Sequence, residues 1–243
     1  MRRETANILL VLVGGALLKI TMNGTYLRYV KPTAKPWVLV AGVVMIVLAV
    51  GSIAGDIRAG RAGRRTQDHE QDHDHGHQHG SRSVLLLVLP VLAIFLIAPP
   101  ALGADSVTRA DSRSAVAPVE QASFPPLPAG RAVPIGLSDF ITRSVWDSTN
   151  SLTDRTVRLT GFVVHDNGAL YLARLVISCC AADATPMKVA LAGGAAGGAA
   201  DNQWLEVTGV LRPGSATQAN GYTPTVSVVS VTEIPAPADP YEY

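Results

Sequence analysis

Hydrophobic and polar positions divide this chain into two unlike halves. Apolar residues run almost unbroken over residues 6–22, 36–54 and 84–102. Each run approaches the roughly 20 residues that a helix needs to cross a hydrocarbon core of about 30 Å, so three spanning helices are predicted. The second half carries no such run. From residue 134 onward, short segments alternate apolar and polar positions between turn-forming residues, which is the pattern of a small β-rich domain.

Within that half, Ile135, Leu137, Phe140, Ile141, Val145 and Trp146 fall near helical spacing, with Ser138 and Asp139 placed to cap a short helix. Residues 156–164 alternate and are rich in β-branched side chains. Asp166-Asn167-Gly168 then forms a hairpin turn before a second strand over 169–178. Trp204 to Leu211 repeats the strand pattern, and a valine-rich run over 225–234 supplies another. Four or five short strands and one helix predict a rolled sheet or small barrel of the oligonucleotide/oligosaccharide-binding type, with Gly161 and Gly209 where such barrels bend.

The first apolar run follows Met1-Arg2-Arg3 and so also fits a secretory signal. No Ala-x-Ala-type site precedes the linker over 26–35, which leads directly into the next apolar run, so an uncleaved helix is expected. Lys and Arg in short loops bias orientation. Arg2, Arg3, Arg58, Arg61, Arg64, Arg65 and Arg82 flank one side, against Arg28, Lys31 and Lys35 on the other. This places the N-terminus inside and, after three spans, everything beyond Leu102 outside the cytoplasm. The expected fold is an α+β membrane protein. Two helices occupy residues 1–55, an Arg- and His-rich loop 56–82, a third helix 83–103 and a flexible Ala/Ser/Pro stalk 104–133. An extracytoplasmic β-rich domain fills 134–243. The expected location is the plasma membrane, with the lipid bilayer as a partner.

Charge removes one class of function. A net charge of +1 with no basic patch gives nothing for nucleic acid to bind. The chain also lacks a Ser/His/Asp grouping, a phosphate loop and paired catalytic carboxylates, so no enzymatic role is expected.

Two places carry metal-ligating chemistry. The loop over 68–79 holds five of the chain's six histidines: His69, His73, His75, His77 and His79, interleaved with Asp72 and Asp74. Alternating imidazoles on a pliable chain can wrap several nitrogens round one zinc, nickel, cobalt or copper(II) ion, and the same composition also describes a solvated linker. The only cysteines, Cys179 and Cys180, are adjacent. Neighbouring α-carbons lie about 3.8 Å apart, below the usual disulfide range, so a bond between them would be strained and easily reduced. Three roles stay open for this pair: small buried hydrophobes, a redox switch, or ligands for a soft or borderline metal together with Asp183 and His165. Asp183 is also suited to capping the turn after the cysteines.

The segment Arg174-Leu175-Val176-Ile177-Ser178-Cys179-Cys180-Ala181-Ala182-Asp183-Ala184 resembles the signature of the YcgQ-like family. Gly161-Phe162-Val163, Trp204 with Val207 and Gly209, and Pro240-Tyr241 resemble the same pattern. So do Gly24, Tyr29-Val30, Lys31-Pro32 and Pro36 in the first linker. The resemblance implies an accessory subunit of a two-component membrane permease complex whose partner is a multi-pass, YcgR-like permease. It also implies a link to zinc homeostasis, with no cofactor defined. The histidine tract and the Ala/Gly loop over 193–200 lie outside the shared pattern, so the metal reading there rests on their own chemistry. The alternative is a membrane-tethered thiol redox protein or sensor acting through the adjacent cysteines.

Overall fold

The structure, a computed structural model, describes residues 3–63, 100–110, 124–194 and 197–243, which fall into two compact units. The first holds two helices, α1 (Arg3–Met22) and α2 (Lys35–Gly63). They pack through glycine: a Cβ on Gly14 would lie 3.0 Å from the Gly42 carbonyl oxygen, so the helices approach backbone to backbone. The stretch Pro32–Ala59, a short 3-10 turn leading into most of α2, is apolar and long enough to cross a membrane, and Trp37, Val47, Leu48 and Val50 are exposed along it.

This corrects the expectation of three N-terminal spans. Among the described residues one helix meets the requirement of length and apolarity. The apolar part of α1, Ala6–Met22, is shorter than that requirement because polar residues occupy its first turn. The third predicted span up to residue 99 and the histidine tract lie outside the described residues, and residues 100–103 at the end of that span are not helical.

The second unit comprises Leu27–Lys31 and Ala101–Tyr243. A β-rich domain is present, built as one seven-stranded mixed sheet. Its strands are β1 (Val133–Pro134), β2 (Thr156–Asp166), β3 (Ala169–Val176), β4 (Thr185–Ala192), β5 (Trp204–Leu211), β6 (Thr225–Glu233) and β7 (Tyr241–Glu242). The order β2-β5-β6-β4-β3 returns to β2 through a β2–β3 pairing, so five strands close into a ring without free edges. The β4–β6 pairing is parallel, and the other four contacts of the ring are antiparallel.

Closure requires β2 to serve two partners. Its first half pairs with β5 and its second half with β3, and Phe162 lies opposite both Trp204 and Ala173. The bend falls at Gly161, where a Cβ would sit 2.5 Å from the Ala173 carbonyl oxygen. Gly209 stands at the register shift between β5 and β6, where a Cβ would collide with Val226 and the Ser227 carbonyl. Both glycines sit where the chain must bend and another backbone comes close.

Two short helices cover the sheet: α3 (Ala104–Arg109) and α4 (Leu137–Trp146). Leu137, Phe140 and Ile141 of α4 join Leu159, Val163, Leu172, Val189, Leu205, Val207 and Val226 in the main core. On the opposite face of β2, Phe162 and Val164 join Ala173, Leu175, Ile177 and Tyr241 beneath Ala104 and Val107 of α3. Strand alternation normally buries one face only, and α3 buries the other. Residues 104–109, read from composition as part of a stalk, are therefore a packed helix; residues 111–123 of that stretch lie outside the described residues. Strand β4 also went unread, because Pro186 and small residues dilute its alternation.

Candidate functional site

The cysteine turn begins where β3 ends. Ile177 still donates its N–H to the Glu242 carbonyl at 3.0 Å, and then the backbone folds over one carboxylate. Asp183 accepts the N–H groups of Ser178 at 2.9 Å, Cys179 at 2.8 Å and Cys180 at 3.4 Å. The Asp183 N–H in turn donates to the Cys180 carbonyl at 3.0 Å, closing the one-turn helix Ala181–Asp183. An aspartate three to five residues downstream thus satisfies three backbone donors that would otherwise face water singly.

The turn is also tied to the linker between α1 and α2 in the chain. Val30 bridges to Cys180 in antiparallel fashion. The Lys31 N–H donates to the Cys179 carbonyl at 3.3 Å, and the Ala181 N–H donates to the Tyr29 carbonyl at 2.7 Å. Below it, the buried Tyr241 hydroxyl donates to the Arg28 carbonyl at 3.0 Å and accepts the Leu102 N–H at 3.3 Å. Burial pushes that phenol's pKa up, keeping it a neutral donor. Arg174 braces the same corner, donating to the carbonyls of Asp239, Pro240 and Tyr241 and lying 5.1 Å over the Trp204 ring.

Cys179 and Cys180 are free thiols with sulfurs 3.6 Å apart. One ligand atom from each of Cys179, Cys180 and Asp183 can be chosen so that all lie within 4.8 Å of one another. Cys179 is exposed and Cys180 half-buried. Its hydrogen bond to Asp183, and then that to Cys180, push the Cys179 thiol up to about 11. The same thiol, followed by the Ser178 N–H, holds Asp183 down to about 2. At neutral pH the turn therefore pairs a carboxylate with a protonated thiol. A protonated thiol is a poor nucleophile, whereas a cation can replace its proton between sulfur and carboxylate.

The structure brings together three of the residues singled out in the sequence, Cys179, Cys180 and Asp183. His165 is not among them. It pairs with Leu170 near the Asp166-to-Ala169 turn, whereas the cysteines follow Val176 at the other end of the same hairpin. There its N–H and Nδ1 both meet the Asp201 carboxylate at 2.8 Å, a contact that lowers the Asp201 pKa. His69, Asp72, His73, Asp74, His75, His77 and His79 lie outside the described residues. Sequence reading did not couple Tyr29–Lys31 to the cysteines. Its one signal was that both segments belong to the same family-like pattern.

Fold and site together define a chain with a membrane-length apolar helix and a closed β domain that displays a thiol–thiol–carboxylate turn. Residues 6–111 match the DUF1980 N-terminal domain and residues 140–243 match the DUF1980 C-terminal domain, so the chain belongs to the DUF1980 family. No curated protein and no solved structure matches it.

Proposed function

We propose that this protein is a non-enzymatic, membrane-embedded accessory subunit of a two-component permease complex linked to transition-metal homeostasis, with a multi-pass YcgR-like permease as its partner. The observation that carries the reading is α2. Its apolar side chains point outward on several sides, with Trp37, Val40, Val47 and Val50 all exposed, as suits a helix in lipid or against another membrane protein. Its ionisable residues, Lys35, Asp56, Arg58 and Arg61, sit toward its two ends. Such a helix offers no polar path of its own, and intramembrane ion paths normally carry ionisable groups along their length, so transport would need a second subunit. The YcgQ-like signature in the cysteine segment supports the choice of a permease. In this reading the β domain lies outside the cytoplasm and presents the cysteine turn to metal there.

The redox alternative draws on two free thiols 3.6 Å apart. It is the weaker reading, because Asp183 converges with the two sulfurs as a third donor, which a metal uses and thiol–disulfide exchange does not.

The test is purification of the tagged full chain from membranes after mild crosslinking, with the recovered partner identified by mass spectrometry. Stoichiometric recovery of a multi-pass permease, and loss of metal-dependent transport when this chain is deleted, are expected. Recovery of the chain from the soluble fraction, or of a chain whose deletion leaves transport unchanged, overturns the proposal.

A further inference from the structure

The geometry points to Cys179, Cys180 and Asp183 as an open, single-ion site for a borderline divalent cation of the zinc and cadmium type, bound by two thiolates and one carboxylate with a coordination position left to solvent. This deepens the metal-linked part of the reading above and does not depend on the permease partner.

The separation of the two sulfurs suits a tetrahedral ion. With metal–sulfur bonds of about 2.3 Å, tetrahedral angles put two thiolate sulfurs roughly 3.8 Å apart, whereas a linear S–metal–S arrangement needs about 4.6 Å. The observed 3.6 Å matches the tetrahedral value. Adjacent cysteines on a regular strand would point to opposite faces. Here the chain has left β3 and is folding round Asp183, so both sulfurs reach one side.

Asp183 supplies the third donor from within the same 4.8 Å set. Its backbone hydrogen bonds fix it in place before any ion arrives, as supporting contacts do in built metal sites. Structural zinc sites close all four positions with protein ligands, and three ligands leave one open. With Cys179 exposed, that open position faces solvent, which suits an ion that must be accepted and released. Binding is a proton exchange: the two thiol protons leave to solvent as two metal–sulfur bonds form, and no electron is transferred.

The experiment uses the detergent-purified full chain in which His69, His73, His75, His77 and His79 are all changed to alanine, so that the histidine tract contributes no ligands. The probes are zinc(II) and cadmium(II). About one ion per chain is expected, with the ultraviolet sulfur-to-cadmium charge-transfer band. Zinc should also protect both thiols from alkylation, a readout that needs no cysteine variant. Cys179→Ser and Cys180→Ser should each abolish the band. Asp183→Asn should keep it while weakening binding roughly 10- to 100-fold. Alkylation unaffected by zinc, absence of the cadmium band, or stoichiometric metal persisting in the double serine variant overturns the site. Failure to recover a permease would leave these readouts unchanged, so the two proposals fail separately.

Discussion

Glu242 caps a helix that begins 105 positions earlier at Leu137. Its carboxylate accepts the Leu137 N–H at 2.8 Å, the Ser138 N–H at 2.9 Å and the Ser138 hydroxyl at 2.7 Å. The residue before the helix, Gly136, has no side chain to do this. A negative group at a helix N-terminus satisfies its free donors and meets the positive end of its dipole. Glu242→Ala should therefore lower stability by about 1–2 kcal/mol, read as a fall in the melting temperature of the β domain. Ser138→Ala, which removes one of the three contacts, should cost less.

Gly161 tolerates no side chain. A Cβ there would lie 2.5 Å from the Ala173 carbonyl oxygen and 2.9 Å from Leu172 Cγ, and the first of these is backbone that the ring cannot easily shift. Gly161→Ala should destabilise the domain by about 2–3 kcal/mol in chemical denaturation. Gly194→Ala is the control. Nothing lies within 4 Å of its added Cβ, and a change within about 0.5 kcal/mol is expected.

Asp147 gives the domain an acid-sensitive contact. The residue is buried, and its carboxylate accepts the Thr149 N–H at 2.9 Å, the Thr149 hydroxyl at 2.6 Å and the Ser151 N–H at 2.9 Å. Burial raises its pKa, but the hydrogen bonds from Ser151 and Thr149 outweigh it and hold the carboxyl at about 2 against an ordinary 3.8. A depressed carboxyl pKa stabilises the folded state fully above the ordinary value, and that stability is lost as pH falls toward about 2. Thermal melts between pH 5 and pH 2 should show a decline that flattens in Asp147→Asn, and the variant should already be less stable at neutral pH.

Arg174 should not be replaceable by lysine. Its guanidinium reaches three successive carbonyls at 3.1–3.3 Å while lying over Trp204, a planar fork that a single ammonium cannot reproduce. Burial lowers its pKa, and the neighbouring Glu242 carboxylate opposes that change. Arg174→Lys should cost about 1–2 kcal/mol and speed hydrogen exchange in the segment 239–243 before it affects the rest of the sheet.

What could be read from sequence follows from locality. The hairpin over β2 and β3 was legible because alternation and the Asp166-Asn167-Gly168 turn are local signals, and α4 was legible from its apolar spacing. The helix over 104–109 was not, because six residues carry too little periodicity to be distinguished from a polar linker, and it forms by packing Ala104 and Val107 on a sheet face far away in sequence. Counting apolar runs overestimated the spans among the described residues, since a run marks burial in some apolar medium and only its length as a helix distinguishes a span.

The sequence by itself determined the residue types of the site: two adjacent thiols and a carboxylate three positions later. It could not say whether those thiols diverge, as on a strand, or converge. Tertiary structure decided that, because β3 ends at Val176 through its pairing with β7, and Asp183 and the Tyr29–Lys31 linker then hold the turn by backbone hydrogen bonds from residues near and remote. Convergence of donor atoms depends on backbone direction, and that direction is set by partners the local sequence does not contain.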